Sequence, residues 1–401
     1  MGNLGPEGGK PTSEPTITST VSIVLDAQPS CLEFARRNDL LVVGTYNLES
    51  KQNAVGDLNY EVADQIATPA QKRTGSLLVF HITEQEASLL QTKTLPYALL
   101  DLHFSPKDPS IFAVATSDGS LCFFSLDIDR GGKIEPIRSI QICDPSILVL
   151  SLAYRVPAEG EPSLIAVTMS NGHLAVLSDE QETGDMITFP VHSQEAWTVA
   201  WSDAPNSESE PQGTLYSGGD DSALYKYSAG FPVPALDEKV SIKHYQQLSR
   251  DVSTHWAGVT AIRPTSLQDD EAHEILLTGS YDEYVRVLTL PSPGRKRAKV
   301  LAERKLDGGV WRLSNIFSHE LDLHGTTIKV LASCMHAGAK VLEIRNQGKD
   351  WSIEVLANFT EHESMNYASD VRAREGGRVF VSTSFYDRKL CIWNLNGGKD
   401  T

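Results

Sequence analysis

His336 is the residue of this sequence least explained by its position. It stands in Cys334-Met335-His336-Ala337-Gly338, where comparable turns later and earlier in the chain carry Asp, so turn geometry does not call for an imidazole. A neutral imidazole near pH 7 suits general-base work or ligand binding; the alternative is a hydrogen-bonded structural His. Four further segments are equally uncommon: Gly218-Gly219-Asp220-Asp221, Gly279-Ser280-Tyr281-Asp282-Glu283, Gly308-Gly309-Val310-Trp311-Arg312 and Ser384-Phe385-Tyr386-Asp387. Asp221, Asp282 and Asp387 read first as turn residues that bond local amides or a neighbouring His, and second as chemistry. His192 and His255 read as the structural partners of such Asp residues. Trp311 is either a core aromatic or, beside Gly308-Gly309 and Arg312, part of a site. Familiar signatures are absent: no G-x-S-x-G elbow, phosphate-binding G-x-x-x-x-G-K-[ST], H-E-x-x-H or dinucleotide fingerprint. On the residues alone, an interaction scaffold is the default reading.

The elements that must position these residues form a repeat. Each copy is an apolar strand, a gap, a second strand ending in small residues, a tight polar turn and a third strand. Leu99-Leu100-Asp101-Leu102-His103-Phe104, then Ile111-Phe112-Ala113-Val114-Ala115-Thr116, then Ser117-Asp118-Gly119 and Ser120-Leu121-Cys122-Phe123-Phe124 show it clearly. Six copies are distinct and a degenerate one precedes them, so the chain reads as all-β, a seven-bladed β-propeller of WD-repeat type over residues 21–398. Residues 1–20 read as a flexible tail, and 47–74, 203–213 and 231–253 as polar loop inserts. The Trp-Asp that commonly ends the third strand is replaced by Tyr227-Ser228, Leu342-Glu343 and Trp393-Asn394. In a four-stranded blade, the turn after the second strand and the entry to the next innermost strand share one face. All five unusual segments fall there, around the mouth of the central channel, on loops that a rigid scaffold holds.

Composition narrows the function classes. With 35 Lys+Arg against 52 Asp+Glu the 401-residue chain carries a formal charge of −17, which disfavours phosphate-backbone binding and anionic membrane surfaces. No apolar run approaches the roughly 20 residues of a membrane span. The N-terminus lacks the apolar stretch of a signal peptide, and Pro6 stands where a myristoylation motif wants Ser or Thr. Cys31, Cys122, Cys143, Cys334 and Cys391 are scattered, without a C-x-x-C pair, so neither a disulfide framework nor a zinc site is expected and the compartment reads as reducing. No cofactor or metal is expected. The basic stretch Arg295-Lys296-Arg297-Ala298-Lys299 reads as a solvated loop, with contact to ribosomal RNA or an import signal as alternatives.

The ordered series formed by these five segments resembles the diphthine methylesterase family of WD-repeat proteins, over the last four blades. The resemblance implies hydrolysis of the methyl ester of methylated diphthine on translation elongation factor 2, giving diphthine and methanol in the cytoplasm, with other diphthamide-pathway proteins as further partners. It implies a site for a trimethylammonium group and a methyl ester. Trp311, Tyr281, Tyr386, Asp220 and Glu283 would bind the cation. His336 would be the base, Asp282 or Asp387 would orient it, and Arg312 or nearby Gly amides would hold the oxyanion. Ser280, Ser384 and Cys334 stand as alternative nucleophiles to water. The competing function is a non-catalytic adaptor that docks proteins on the same face.

Overall fold

The computed structural model describes residues 14–36, 38–49, 71–128, 131–156, 163–179, 186–202, 212–230, 244–290, 297–322, 325–374 and 377–395. Every regular element among them is a strand. The strands form seven sheets of four or five strands. Their innermost strands are Pro29–Phe34, Leu99–Phe104, Val149–Arg155, Ala196–Trp201, Val259–Gln268, Arg312–Asp322 and Ala368–Arg374, here blades 1 to 7. Each innermost strand packs on the next, and the seventh returns to the first. The sequence-derived fold class, a seven-bladed β-propeller, holds.

Burial explains the strand types. Second strands such as Leu40–Thr45 and Leu164–Met169 are buried at every position, because blades pack on both of their faces and a continuous apolar run fits there. Outer strands such as Lys133–Gln141 alternate towards solvent.

The ring closes through the N-terminal segment. Ser19–Val24 is the outermost strand of blade 7, antiparallel to Lys389–Asn394. Thr16–Ile17 runs parallel to Asn358 and Phe359 of blade 6, and Glu14 pairs with Arg304 at 2.9 Å and Lys340 at 3.3 Å. The expected tail of residues 1–20 is therefore corrected: from Thr16 onward the chain is paired strand, because blade 7 has no other outer strand to cover its edge. Residues 1–13 lie outside the described residues. The expected insert 231–253 is also corrected, since His244–Asp251 is the outer strand of blade 4. Residues 50–70, 203–211, 231–243, 295 and 296 lie outside the described residues.

Buried hydrogen bonds at the turns repeat from blade to blade. In blade 4, His192 Nδ1 lies 2.8 Å from Asp221 Oδ1 and Nε2 lies 3.0 Å from Ser217 Oγ. In blade 7, His362 Nε2 lies 2.8 Å from Ser382 Oγ, which accepts a hydrogen bond from Trp393 Nε1 at 3.1 Å. In blade 5, His255 Nε2 lies 2.9 Å from Thr278 Oγ1. His192 is thus the structural partner of a turn Asp, as expected, whereas the buried His255 bonds Thr278 instead of the turn Asp282, which Arg286 takes. Burial by itself would raise the Asp221 carboxyl, but His192 and the amides of Ser193 and Ala223 bring it down to about 2. Asp221→Ala is expected to lower unfolding free energy by about 2 kcal/mol, the worth of a charged hydrogen bond, read as a fall in the urea midpoint at pH 7.

Candidate functional site

In each of blades 1 to 5, the first ladder between the innermost and second strands skips one residue: Ser30, Leu100, Leu150, Trp197 and Thr260. Such a bulge takes a side chain out of the ladder and re-aims it. Trp311 and Tyr367 immediately precede the first paired residues of blades 6 and 7 and so hold the matching level. These seven positions ring one mouth of the channel. On the side of blades 4 to 7 they are mostly aromatic.

The aromatic residues touch in series. Trp197 and Trp311 have ring centroids 5.5 Å apart, Tyr281 lies 6.2 Å from Trp197 and 5.9 Å from Trp311, and Tyr367 lies 5.1 Å from Trp311. Phe385 continues the arc at 5.4 Å from Tyr367, and Tyr46 of blade 1 ends it at 6.2 Å from Phe385. Trp197 Nε1 donates to Asp220 Oδ1 at 3.0 Å, which sets a carboxylate at one end of the arc. Tyr281 fills the place that the small Thr260 leaves open in blade 5. Two glycines make room for it: a Cβ at Gly258 would fall 3.0 Å from the Tyr281 ring and one at Gly309 3.3 Å from it. An aromatic arc with a carboxylate at its end attracts a cation, best one too bulky to be strongly hydrated.

From the next level of the innermost strands to their far ends the channel holds a cavity of about 1090 Å³. Asp101 and Arg312 occupy matching register positions of blades 2 and 6, and Arg312 Nη2 reaches across to Asp101 Oδ1 at 3.4 Å. Two residues further along their strands stand Glu33, His103 and Asp370, from blades 1, 2 and 7, with Arg263 of blade 5 at the same level. All of these line the cavity. His103 Nδ1 lies 2.6 Å from Glu33 Oε2, and its Nε2 lies 3.6 Å from Asp101 Oδ1. Asp101 also accepts the Leu152 amide at 3.0 Å, and Asp370 accepts the amides of Phe34 and Val371 at 2.8 Å.

Electrostatics separates the roles of these groups. Enclosure by the ring opposes charge on His103, although its side chain is 45% exposed to the channel, but the carboxylates of Asp101 and Glu33 overcome this and push it up to about 9. His103 is therefore an imidazolium near neutral pH. Burial and the charge of Glu33 push the Asp370 carboxyl up to about 7, where it exchanges a proton at working pH. Arg312, which lines the cavity and lies 5.5 Å from the Trp311 ring centroid, is the group that adjoins both the aromatic mouth and these acid–base residues.

No family model matches the chain. A diphthine methyltransferase of Schizosaccharomyces pombe is 31% identical to it across 88% of this chain and 90% of that protein. The chain belongs to this family. The diphthine methyltransferase of Saccharomyces cerevisiae is 25% identical across 91% of this chain and 95% of that protein. Among solved structures, a chain of the mitotic checkpoint complex covers 99% of this chain with a TM-score of 0.54 at 14% identity, a likeness of fold alone.

Against this diphthine methyltransferase family site, the residues expected from sequence divide. Trp311, Tyr281 and Asp220 meet in the arc, and Arg312 stands beside it, its guanidinium carbon 5.5 Å from the Trp311 ring centroid. Tyr386 packs on Phe385 at the outer side of the arc and is 68% exposed. Glu283 is paired with Lys305 at 3.0 Å and takes no part in the arc.

The expected unit of His336 with Asp282 or Asp387 is not assembled. Asp282 is bound to the buried Arg286 at 2.9 Å and to the amides of Trp256 and Tyr284. Burial opposes its charge, yet Arg286 and those amides hold its carboxyl below the usual range. Asp387 accepts the Glu363 amide at 3.0 Å. His336 is exposed on the blade 6 turn and makes no hydrogen bond or ion pair with the described residues. Ser280, Ser384 and Cys334 are sealed from solvent, and burial pushes the Cys334 thiol up to about 12, so none presents a nucleophile to the channel.

Glu33, Asp101, His103 and Asp370 escaped the sequence reading, as did Trp197 and Tyr367 as members of the arc. A signal was present. Polar residues such as Asp101 and His103 two apart within Leu-Leu-Asp-Leu-His-Phe are out of place in a strand packed between blades.

Proposed function

We propose that this chain hydrolyses the methyl ester of methylated diphthine on translation elongation factor 2, releasing methanol, as a step of diphthamide biosynthesis in the cytoplasm. The observation that carries the reading is the arc of Trp197, Tyr281, Trp311 and Tyr367 standing directly over a charged cavity that contains Arg312. A side chain bearing a trimethylammonium group and an ester requires both: aromatic faces for a cation that cannot donate hydrogen bonds, and fixed donors where an oxyanion develops. The two yeast relatives are named for diphthine, which supports the same substrate class.

The decisive experiment incubates the purified chain with the methyl-ester form of the elongation factor, with no methyl donor added. Loss of a methylene's mass from the modified His and release of methanol are expected. Gain of methyl only when a sulfonium donor is supplied would mean transfer, the reaction for which the relatives are named; binding without mass change would mean an adaptor. Within the hydrolysis assay, Trp311→Ala is expected to raise KM for the ester substrate about thirtyfold, equivalent to roughly 2 kcal/mol of desolvated cation–aromatic contact. Its kcat should change little, and a KM within twofold of the parent's would remove Trp311 from cation recognition.

A further inference from the structure

The charged groups inside the channel offer more than a counterion for the substrate, and a catalytic role for them rests on the ester-hydrolysis reading. Cation and ester ride on one modified side chain, so a cation seated on Trp311 brings the ester to the adjoining Arg312, whose guanidinium is the nearest charged donor below the arc. We propose that the ester is cleaved inside the channel by a water molecule that Asp370 deprotonates, with Arg312 and the Nε2–H of His103 holding the oxyanion.

The geometry assigns each part. Asp370 lines the cavity, and its two oxygens each accept one backbone amide, from Phe34 and Val371, which fixes the carboxylate while leaving lone pairs for water. His103 gives Nδ1 to Glu33, and its Nε2 stands beyond hydrogen-bond distance from Asp101, so this N–H is available to the channel. Glu33 and Asp101 are positioning residues: one orients His103, the other spans the channel to Arg312. The seven innermost strands close the site with side chains from every blade, so these donors are fixed before the substrate arrives, the arrangement under which oxyanion stabilisation is strongest.

In the first half of the reaction the water gives one proton to Asp370 while its oxygen bonds to the ester carbon, and the carbonyl electron pair moves onto oxygen as an oxyanion paired with Arg312 and His103. In the second half that pair re-forms the carbonyl, the bond from carbon to the methoxy oxygen breaks, and the proton returns from Asp370 to the leaving methoxide. Methanol and a carboxylic acid result, and the acid loses its proton to solvent. Asp370 ends in its starting state. The elevated position of its carboxyl suits both transfers, because such a group accepts and returns a proton near neutral pH.

The test compares the full chain with Asp370→Asn and His103→Gln in the methanol-release assay on the ester form of the elongation factor, each variant checked by its melting curve. If Asp370→Asn fails to fold, Asp370→Ser, which retains an acceptor for the Phe34 amide, replaces it. Each is expected to lower kcat about 100-fold or more, with KM within about threefold because the arc is untouched. If the parent chain releases methanol and the folded variants retain kcat within threefold of it, the channel mechanism is overturned while the hydrolase reading stands. If the parent chain releases none from a substrate that mild base does demethylate, the hydrolase reading falls and this mechanism with it.

Discussion

A chain that begins at Leu25 is expected to lose its native ring, or to melt at least 10 °C lower than the full chain, because the removed segment is the fastener of three blades. Ser19–Val24 contributes the whole outer strand of blade 7, with Val21 and Ile23 packed on the core between blades 7 and 1. Thr16–Ile17 adds a strand to blade 6 with Ile17 on its core, and Glu14 reaches Arg304 of blade 5 and Lys340 of blade 6. Two or three partly buried aliphatic side chains, a ladder of backbone hydrogen bonds and a part-buried ion pair amount to on the order of 5 kcal/mol after ordering costs. That is comparable with the entire net stability of an ordinary domain, about 5–15 kcal/mol. Truncation would also uncover the edge of Lys389–Asn394, inviting association with other copies. Circular dichroism melts and size-exclusion chromatography measure both effects. Adding a peptide of residues 14–24 in trans should restore part of the melting temperature; a truncated chain that melts like the parent would show that blade 7 closes without its borrowed strand.

Acidification from pH 7 to 4 is the second large expected effect. Burial, aided at His255 by the Arg286 charge, lowers His255 to about 4, and burial lowers His362 to about 4. Both are therefore neutral in the folded ring, while in the unfolded chain they protonate near 6.5. A depressed folded value means that stability is fully present above about pH 6.5 and is lost as the pH falls towards 4, by on the order of 3 kcal/mol for each His. Asp370 acts in the opposite sense: its raised carboxyl takes a proton in the folded state first, so it contributes stability as the pH falls from about 7 towards 4. The comparison that isolates the histidines is the parent against His362→Gln. The variant is expected to be less stable at pH 7, through loss of the Ser382 hydrogen bond, yet to lose about 3 kcal/mol less on acidification. Parallel melting curves from pH 7 to 4 for the two proteins would show that His362 is not held neutral.

Much of the architecture was legible because it is written in local signals. Most blades announce themselves through an apolar run, a tight Asp or Asn turn and a second run, and His192 is close enough in the chain to Asp221 to be read as the partner of a turn Asp. The end of the chain was harder. Nothing in Ser19–Val24 says that it pairs with a strand more than 360 residues away, because an outer strand needs only alternation and accepts polar residues on its free face.

The candidate site was legible at its rim and illegible in its interior. Gly308-Gly309-Val310-Trp311-Arg312 and Tyr281 stand out as types and lie in turns, where unusual residues are conspicuous. The sequence by itself determined the number of blades, the face on which the unusual turns gather, and the presence there of aromatics, acids and an arginine. Tertiary structure alone decided which of them meet: Glu33 and His103 are 70 residues apart in the chain and 2.6 Å apart in space, and Asp101 meets Arg312 from the far side of the channel. It also decided that His336 stands apart while Asp282 serves Arg286. The physical reason is that repeat patterns record each strand's own alternation and burial. Contacts across the channel depend on the closure of seven strands into a ring, which fixes the level and facing of each side chain relative to blades far away in sequence.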